Sequence, residues 1–174
     1  YALNCPLLDV QALELEAASA LTADWAAGCV ALLGKGYYVQ TDVDYYHLTH
    51  RPECGQEHFL HELLLVGVDG EQLLALTNGR RGEPVQVEVP AATLCRATAE
   101  LASVRATRAA AGQSPWLTEV SGWGRPRVLL YRYHPERGCA FDAVSVLEQV
   151  SDYVDAANSS WRCRLSGMSR SGGL

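Results

Sequence analysis

The chain reads ELLLVGVDGEQLLALT over residues 62–77, and this stretch decides the fold. Two apolar runs flank the dipeptide Asp69-Gly70, which is a strong signal for a tight hairpin turn. The stretch therefore predicts two antiparallel strands joined at that dipeptide. Because neither arm alternates clearly between apolar and polar residues, we expect the hairpin to be central in a sheet and nearly fully buried on both faces.

The sequence on both sides of the hairpin extends it into a sheet with helices. Further strands are predicted where β-branched and aromatic residues concentrate, at residues 37–44, 85–89 and 127–133. Helices are predicted from Asp9 to about Gly34, from Pro90 with a buried stripe of Leu94, Ala97, Leu101 and Val104, and from Asp142 with Val144, Leu147, Val150 and Val154 on one face. This order predicts an α+β fold, with an antiparallel or mixed sheet and helices packed against it.

Length, charge and composition limit the classes of function that the chain can have. The chain has 174 residues, 48% of them hydrophobic, and a formal net charge of −6. The length predicts a single domain over residues 1–165, and the Ser/Gly-rich residues 166–174 are expected to be a disordered tail. The acidic balance argues against a nucleic-acid partner, and the lack of a long apolar run argues against a membrane partner. Six widely spaced cysteines without a CxxC motif fit a reducing cytoplasm.

Histidines concentrate between the second predicted strand and the hairpin. His47, His50, His58 and His61 lie within fifteen residues, and Cys54 stands among them. Imidazole and thiolate are good zinc ligands, so one hypothesis is a metal-binding domain that uses this cluster. The alternative is a set of solvated loop histidines, some with structural hydrogen bonds.

His61 differs from the other three because it stands at the mouth of the strand that begins the hairpin. The return strand ends at Thr77 and Asn78, which can come back beside the histidine. A side-chain amide or carboxylate in that place can fix the imidazole tautomer, so that the other ring nitrogen takes a proton from a nucleophile.

The runs at residues 38–46, 58–70 and 77–82 resemble a known group of proteins. They look like the central part of the papain-like group, whose members include the bacterial double-glycine leader peptidases and the butirosin-biosynthesis type of acyltransferase. The resemblance covers residues 28–90 and, more loosely, residues 128–157. It implies a papain-like fold and cofactor-free, thiol-dependent acyl chemistry. An acyl group is taken from a carrier thioester or a peptide bond and handed to an amine or water.

The resemblance also implies roles for particular residues. Cys5, His61 and Asn78 are the catalytic candidates, with Asn78 standing where the group has an acidic or amide residue. Cys5 is close to His61 in sequence compared with the group's nucleophile, and Cys54 is a second candidate for that role. Cys29 is expected in the core. Substrate-binding residues are predicted at Asp44, Tyr46 and His58.

Three functions are therefore open at this stage. The first is cysteine-dependent acyl transfer or hydrolysis in a bacterial biosynthetic pathway, with an acyl carrier protein or a small acyl donor and an amine acceptor as partners. The second is a papain-like domain that has lost its nucleophile and acts as an accessory or binding protein. The third is the metal-binding domain built on the histidine cluster.

Overall fold

The computed structural model describes residues 7–79, 82–112 and 127–137, together with the helical positions Leu147, Val150, Ser151 and Val154. Strands and helices follow one another as β1 (Leu8–Glu14), α1 (Leu15–Ala20), α2 (Trp25–Gly34), β2 (Tyr37–Asp44), β3 (Leu60–Asp69), β4 (Gln72–Asn78), β5 (Pro84–Pro90), α3 (Ala91–Ala99), α4 (Leu101–Ala110) and β6 (Arg127–Tyr133). A short 3-10 turn, Tyr45–His47, follows β2.

The strands form one sheet in the order β1-β6-β2-β3-β4-β5. Strand β2 pairs antiparallel with both β3 and β6, and β4 pairs antiparallel with both β3 and β5. Helix α2 packs against β2 and β3, and α3 packs against β2 and β5. The predicted α+β class is confirmed by this arrangement.

The predicted hairpin is present and lies inside the sheet. Asp69 pairs with Gln72, so the two loop residues are Gly70 and Glu71 and the turn begins one residue later than predicted. Gly70 has a φ of 57°, a conformation that glycine adopts without steric cost. A change of register between Leu65 and Gly67 marks an irregularity in the same pair of strands.

The expectation that both faces of the hairpin are nearly fully buried is wrong. Leu63, Leu65 and Leu73 are at most 1% exposed, whereas the neighbouring Leu64 and Leu74 are only half-buried. Successive side chains of a strand point to opposite faces. The first three belong to the face that forms the core, so the apolar runs carry a two-residue period of burial that their composition hides.

The prediction of one long first helix from Asp9 is also wrong. Residues 8–14 form β1, which lies beside β6 at the edge of the sheet, and two separate helices follow it. Helix α2 has its own N-cap at Asp24, whose carboxylate accepts a hydrogen bond from the Ala27 backbone N–H at 3.0 Å. The pairing of β1 in the sheet has overridden the helical spacing of its apolar residues.

The predicted buried stripe after Pro90 is confirmed, with a break that the sequence did not indicate. Leu94 and Ala97 in α3 and Leu101 and Val104 in α4 are all at most 8% exposed. The two helices meet at Glu100. Through this buried stripe the two helices pack against the sheet that contains the candidate site.

The chain divides into two compact units, residues 9–133 and a second unit made of residues 1–8 and 134–174. Within the second unit the His134 backbone N–H donates to the Leu7 carbonyl at 2.8 Å. Leu147, Val150 and Val154 are helical, as predicted, but each is more than half exposed. Asp142, Val144 and residues 166–174 lie outside the described residues. None of the helices described is both long and apolar enough to cross a membrane.

Candidate active site at the β2–β3 end of the sheet

The loop between β2 and β3 leaves and rejoins the sheet at the same end. Asp44, the last residue of β2, pairs with Leu60, and Val43 pairs with His61. The Tyr45 backbone N–H donates to the Phe59 carbonyl at 2.9 Å, which closes the base of the loop. All four clustered histidines therefore lie in this loop or at its ends.

Tyr45 is the centre of the first group of contacts. It is 1% exposed, and its hydroxyl oxygen lies 2.6 Å from Thr77 Oγ1 and 3.2 Å from His61 Nδ1. The hydroxyl also lies within hydrogen-bond distance of the Glu62 carbonyl, at 3.2 Å. Burial raises the pKa of the Tyr45 hydroxyl above its usual value, so the group stays protonated and donates one hydrogen bond.

The neutral His61 ring has two tautomers, and each fits a different set of contacts at Nδ1. In the first, Nδ1–H donates to the Tyr45 oxygen, the Tyr45 hydroxyl donates to Thr77, and Nε2 keeps a lone pair that can take a proton. In the second, Nδ1 accepts the Glu62 backbone N–H at 2.8 Å, and the neutral ring carries its proton on Nε2. Only the first tautomer makes Nε2 of the neutral imidazole a general base.

The sequence placed Thr77 or Asn78 in hydrogen-bond reach of His61. The structure connects Thr77 to His61 through the Tyr45 hydroxyl. Among the described residues His61 has no hydrogen bond with Asn78, whose carbonyl instead accepts from the Arg51 guanidinium at 2.5 Å. Tyr45, which joins the two predicted partners, was not among the residues predicted from the sequence.

Asp44 and His58 form a second group of contacts in the same loop. Asp44 Oδ2 lies 2.5 Å from His58 Nδ1, and Asp44 Oδ1 accepts the backbone N–H groups of Tyr46 at 3.1 Å and Phe59 at 3.0 Å. The Asp44 side chain is completely buried, whereas 43% of the His58 side chain is exposed. His58 is the more exposed of His58 and His61, as expected. Asp44 is thus held away from solvent, and its carboxylate contacts the His58 ring and two backbone N–H groups.

The residues predicted to bind substrate thus come together in one place. The Tyr46 ring stacks on the His58 ring with centroids 4.5 Å apart and planes 25° apart. An Arg108 guanidinium N–H from α4 donates to the His58 carbonyl. The ring and the backbone of His58 are therefore both held, although 43% of its side chain is exposed.

Arg51 links the loop to the end of β4. Its guanidinium lies over the Tyr45 ring at 4.4 Å from the centroid, pairs with Glu53 at 3.2 Å and donates to the Asn78 carbonyl. Arg51 thus joins Glu53 of the loop and the Tyr45 ring to Asn78 at the end of β4.

The histidines do not assemble into a metal site. His47 pairs with Glu100 at 3.0 Å, His58 with Asp44, and His61 with Tyr45. For His50, burial is the main cause that lowers the pKa below its usual value, and the nearby Arg51 charge adds to it. In the part of the chain that the structure describes, no group of three or more His, Cys, Asp or Glu residues could hold a metal ion. The described histidines of this loop are therefore each paired separately and are not gathered into one ligand set.

The cysteines of the described residues differ in burial, which affects the reactivity of their thiols. Cys5 lies outside the described residues. Cys29 is fully buried in the core, as predicted, and burial raises the pKa of its thiol to about 12, which leaves it inert near neutral pH. Cys54, the second candidate nucleophile, is half-buried in the loop.

Neither a family model nor a curated protein matches this chain. The likeness to the papain-like group therefore rests on the sequence of residues 38–46, 58–70 and 77–82 alone.

Proposed function

We propose that the chain catalyses cysteine-dependent acyl transfer on a papain-like fold. Cys5 attacks the carbonyl carbon of a carrier thioester or an amide, and His61 Nε2 takes the thiol proton and then returns it to the leaving group. The observation that carries this proposal is the chain of contacts from His61 through the Tyr45 hydroxyl to Thr77. In the tautomer with Nδ1–H, this chain orients the imidazole as a base.

The proposal assigns distinct tasks to the groups around His61. Tyr45 and Thr77 are positioning residues, because they act on the ring nitrogen that does not touch the substrate. Asn78 is the last residue of β4, and its backbone carbonyl accepts a hydrogen bond from Arg51. This contact holds the Arg51 guanidinium over the Tyr45 ring. A reducing compartment, the cytoplasm, keeps the Cys5 thiol available for attack.

Thiol labelling tests the proposal. A limiting amount of iodoacetamide is added to the folded protein, and the labelled cysteine is located by peptide mass. Cys5 is expected to react faster than Cys54, and its advantage is expected to disappear in His61→Gln. Cys29 serves as the internal reference, because its buried thiol reacts only after unfolding.

A second measurement follows the acyl group. The protein is incubated with the acetyl thioester of N-acetylcysteamine, and acetylation of the intact chain is followed by mass. An adduct on Cys5 that is lost in Cys5→Ala and kept in the matched variant Cys54→Ala supports the proposal. If the wild-type chain gains no acetyl group on any cysteine, cysteine-dependent acyl transfer is ruled out.

One observation favours the second candidate, a papain-like accessory protein without catalysis. The Glu62 N–H contact at His61 Nδ1 is shorter than the Tyr45 contact, 2.8 Å against 3.2 Å, and it supports the tautomer in which Nε2 is no base. Nitrogen chemical shifts of the His61 ring distinguish the two tautomers. A proton resident on Nε2 at neutral pH supports the accessory protein.

A further inference from the structure

We propose that two copies of the chain pair through the outer edge of β5, so that their sheets join into one continuous sheet. Among the strands that the structure describes, β5 (Pro84–Pro90) ends the sheet on one side. The two copies of β5 run antiparallel about a twofold axis at Val87. This assembly does not require the proposed acyl chemistry.

The pairing of β5 with β4 shows which backbone groups face outward. The Gly79 backbone N–H donates to the Glu83 carbonyl at 2.7 Å, so the backbone groups of Glu83 point toward β4. The backbone groups of successive residues in a strand point to alternate sides, and the register of β5 against β4 is unbroken. Gln86 and Glu88 therefore turn their N–H and C=O groups away from β4, toward the outer edge.

Two prolines set the length of this outer edge. Pro84 and Pro90 are the first and last residues of β5, and by the same alternation both face outward. Neither has an N–H group, and proline is tolerated in a sheet where no partner strand needs that group. The two prolines are equally far from Val87 in sequence. The edge is therefore symmetric about Val87, and within β5 its outward N–H donors are those of Gln86 and Glu88.

An antiparallel pair centred on Val87 is complementary to itself. Gln86 of one copy lies opposite Glu88 of the other, and the two residues exchange backbone hydrogen bonds. Both side chains are exposed and make no hydrogen bond or ion pair with the described residues, so the Gln86 amide is free to donate to the opposite Glu88 carboxylate. A pair centred on Glu88 places two carboxylates opposite each other, which is unfavourable. A pair centred on Gln86 sets Glu88 opposite Pro84, which offers the carboxylate no donor.

The other face of β5 adds an apolar contact between the copies. Val85, Val87 and Val89 lie opposite buried residues of β4, on the face that forms the core. Val89 is 1% exposed, whereas Val85 and Val87 are only half-buried. In the paired sheet Val87 meets Val87 of the second copy, and Val85 meets Val89 of the second copy. The pairing therefore covers the two valines that one copy leaves partly exposed.

The oligomeric state of the full chain tests the pairing. Sedimentation equilibrium is measured from about 1 to 100 μM, and the wild type is expected to show a monomer–dimer equilibrium in that range. Gln86→Pro removes an outward N–H that makes no bond to β4, so this variant is expected to stay monomeric. Gln86→Ala, the matched control, keeps the N–H and still dimerises. Thermal melts show that each variant is folded.

The charge at residue 86 tests the register. The dimer contains the contact between residues 86 and 88 twice, so Gln86→Lys is expected to tighten dimerisation by about 10-fold and Gln86→Glu to weaken it by about as much. In a pair centred on Gln86 the same side chain meets its own copy, and both substitutions weaken the dimer. Opposite signs for the two variants therefore support the register centred on Val87.

Oxidative cross-linking tests the position of the axis. Opposite residues of a non-hydrogen-bonded antiparallel pair have Cα atoms about 4.5 Å apart, which is within the reach of a disulfide. Val87→Cys is therefore expected to give a covalent dimer when copper phenanthroline is added, with the disulfide located at residue 87 by peptide mass. Val85→Cys, which lies opposite Val89, is the matched control and is expected to give none through residue 85.

Three outcomes overturn the inference. A wild-type chain that stays monomeric at the highest concentration leaves the β5 edge to another occupant, such as an extended peptide. A dimer that persists in folded Gln86→Pro uses another surface. A dimer that cross-links through residue 85 and not through residue 87 has another register. If Gln86→Pro does not fold, the Lys and Glu variants at residue 86 and the cross-linking of Val87→Cys still decide the question.

Discussion

The Tyr45 hydroxyl stands between His61 Nδ1 at 3.2 Å and Thr77 Oγ1 at 2.6 Å, so one buried phenol joins the start of β3 to the end of β4. The ring contacts the Arg51 guanidinium and the Phe59 and His61 rings. Removal of the hydroxyl alone therefore tests the contact while the packing is kept.

Tyr45→Phe is expected to lower the free energy of unfolding by about 1–2 kcal/mol, because the buried Thr77 hydroxyl loses its partner. Under the proposed mechanism kcat falls by up to about 100-fold with little change in KM, since the His61 tautomer is no longer held. Urea unfolding and acetyl-thioester kinetics measure the two effects. The control is Tyr38→Phe, at a residue that is 41% exposed. Equal unfolding free energies for the two variants contradict the assigned contact.

Arg51→Lys tests the link between the loop and β4. Lysine keeps the charge but cannot place one planar group over the Tyr45 ring, on Glu53 and on the Asn78 carbonyl together. We expect faster amide exchange across residues 48–59 and a loss of about 1 kcal/mol of unfolding free energy. Arg96→Lys, at an exposed position of α3, is the control and is expected to change neither. Unchanged exchange in the loop shows that Arg51 does not hold it.

The sequence predicted the hairpin, the strands β2, β5 and β6, and the stripe of α3 and α4, because local patterns decide these elements. It missed β1, whose residues have helical spacing and become a strand only through pairing with β6. It also missed the half-buried second face of the hairpin, because Leu64 and Leu74 look the same in sequence as Leu63 and Leu73.

The sequence predicted only part of the candidate site, because only part of the site is fixed by the pairing of predicted strands. The pairing of Val43 with His61 follows from strands that the sequence predicts, so the place of His61 could be anticipated. The Tyr45 link to Thr77 and the Asp44–His58 pair depend on the path of the loop. Neighbouring acidic and aromatic residues in a loop carry no periodic signal that would fix such contacts.

Asp42 makes the stability of the chain depend on pH. It is 2% exposed, and its pKa is raised from 3.8 to about 6, mainly by burial, with Glu62 on the paired strand adding to the rise and the Arg127 N–H and the Arg105 charge opposing it. The folded state binds the proton more tightly than the unfolded state. The favourable contribution is therefore complete below about pH 4 and is lost as the pH rises through about 6.

Asp42→Asn removes this dependence, because the amide oxygen can still accept the Arg127 N–H but carries no charge. The unfolding free energy of the variant minus that of the wild type is expected to rise by about 2 kcal/mol between pH 4 and pH 7. Urea unfolding at one-unit steps measures the difference. Asp69→Asn, at the exposed end of β3, is the control. A difference that stays constant with pH contradicts the raised pKa of Asp42.

The turn of the hairpin gives the last prediction. Gly70 has a φ of 57°, and an added Cβ would meet no atom within 4 Å, so any cost of Gly70→Ala comes from backbone conformation alone. An L-residue in this conformation costs about 1–2 kcal/mol. Gly34 at the end of α2 has equally open space without a positive φ, and there Gly→Ala is expected to stabilise the chain by about 0.5–1 kcal/mol. Urea unfolding of the two variants is therefore expected to give changes of opposite sign, and changes of the same sign would show that Gly70 does not set the turn.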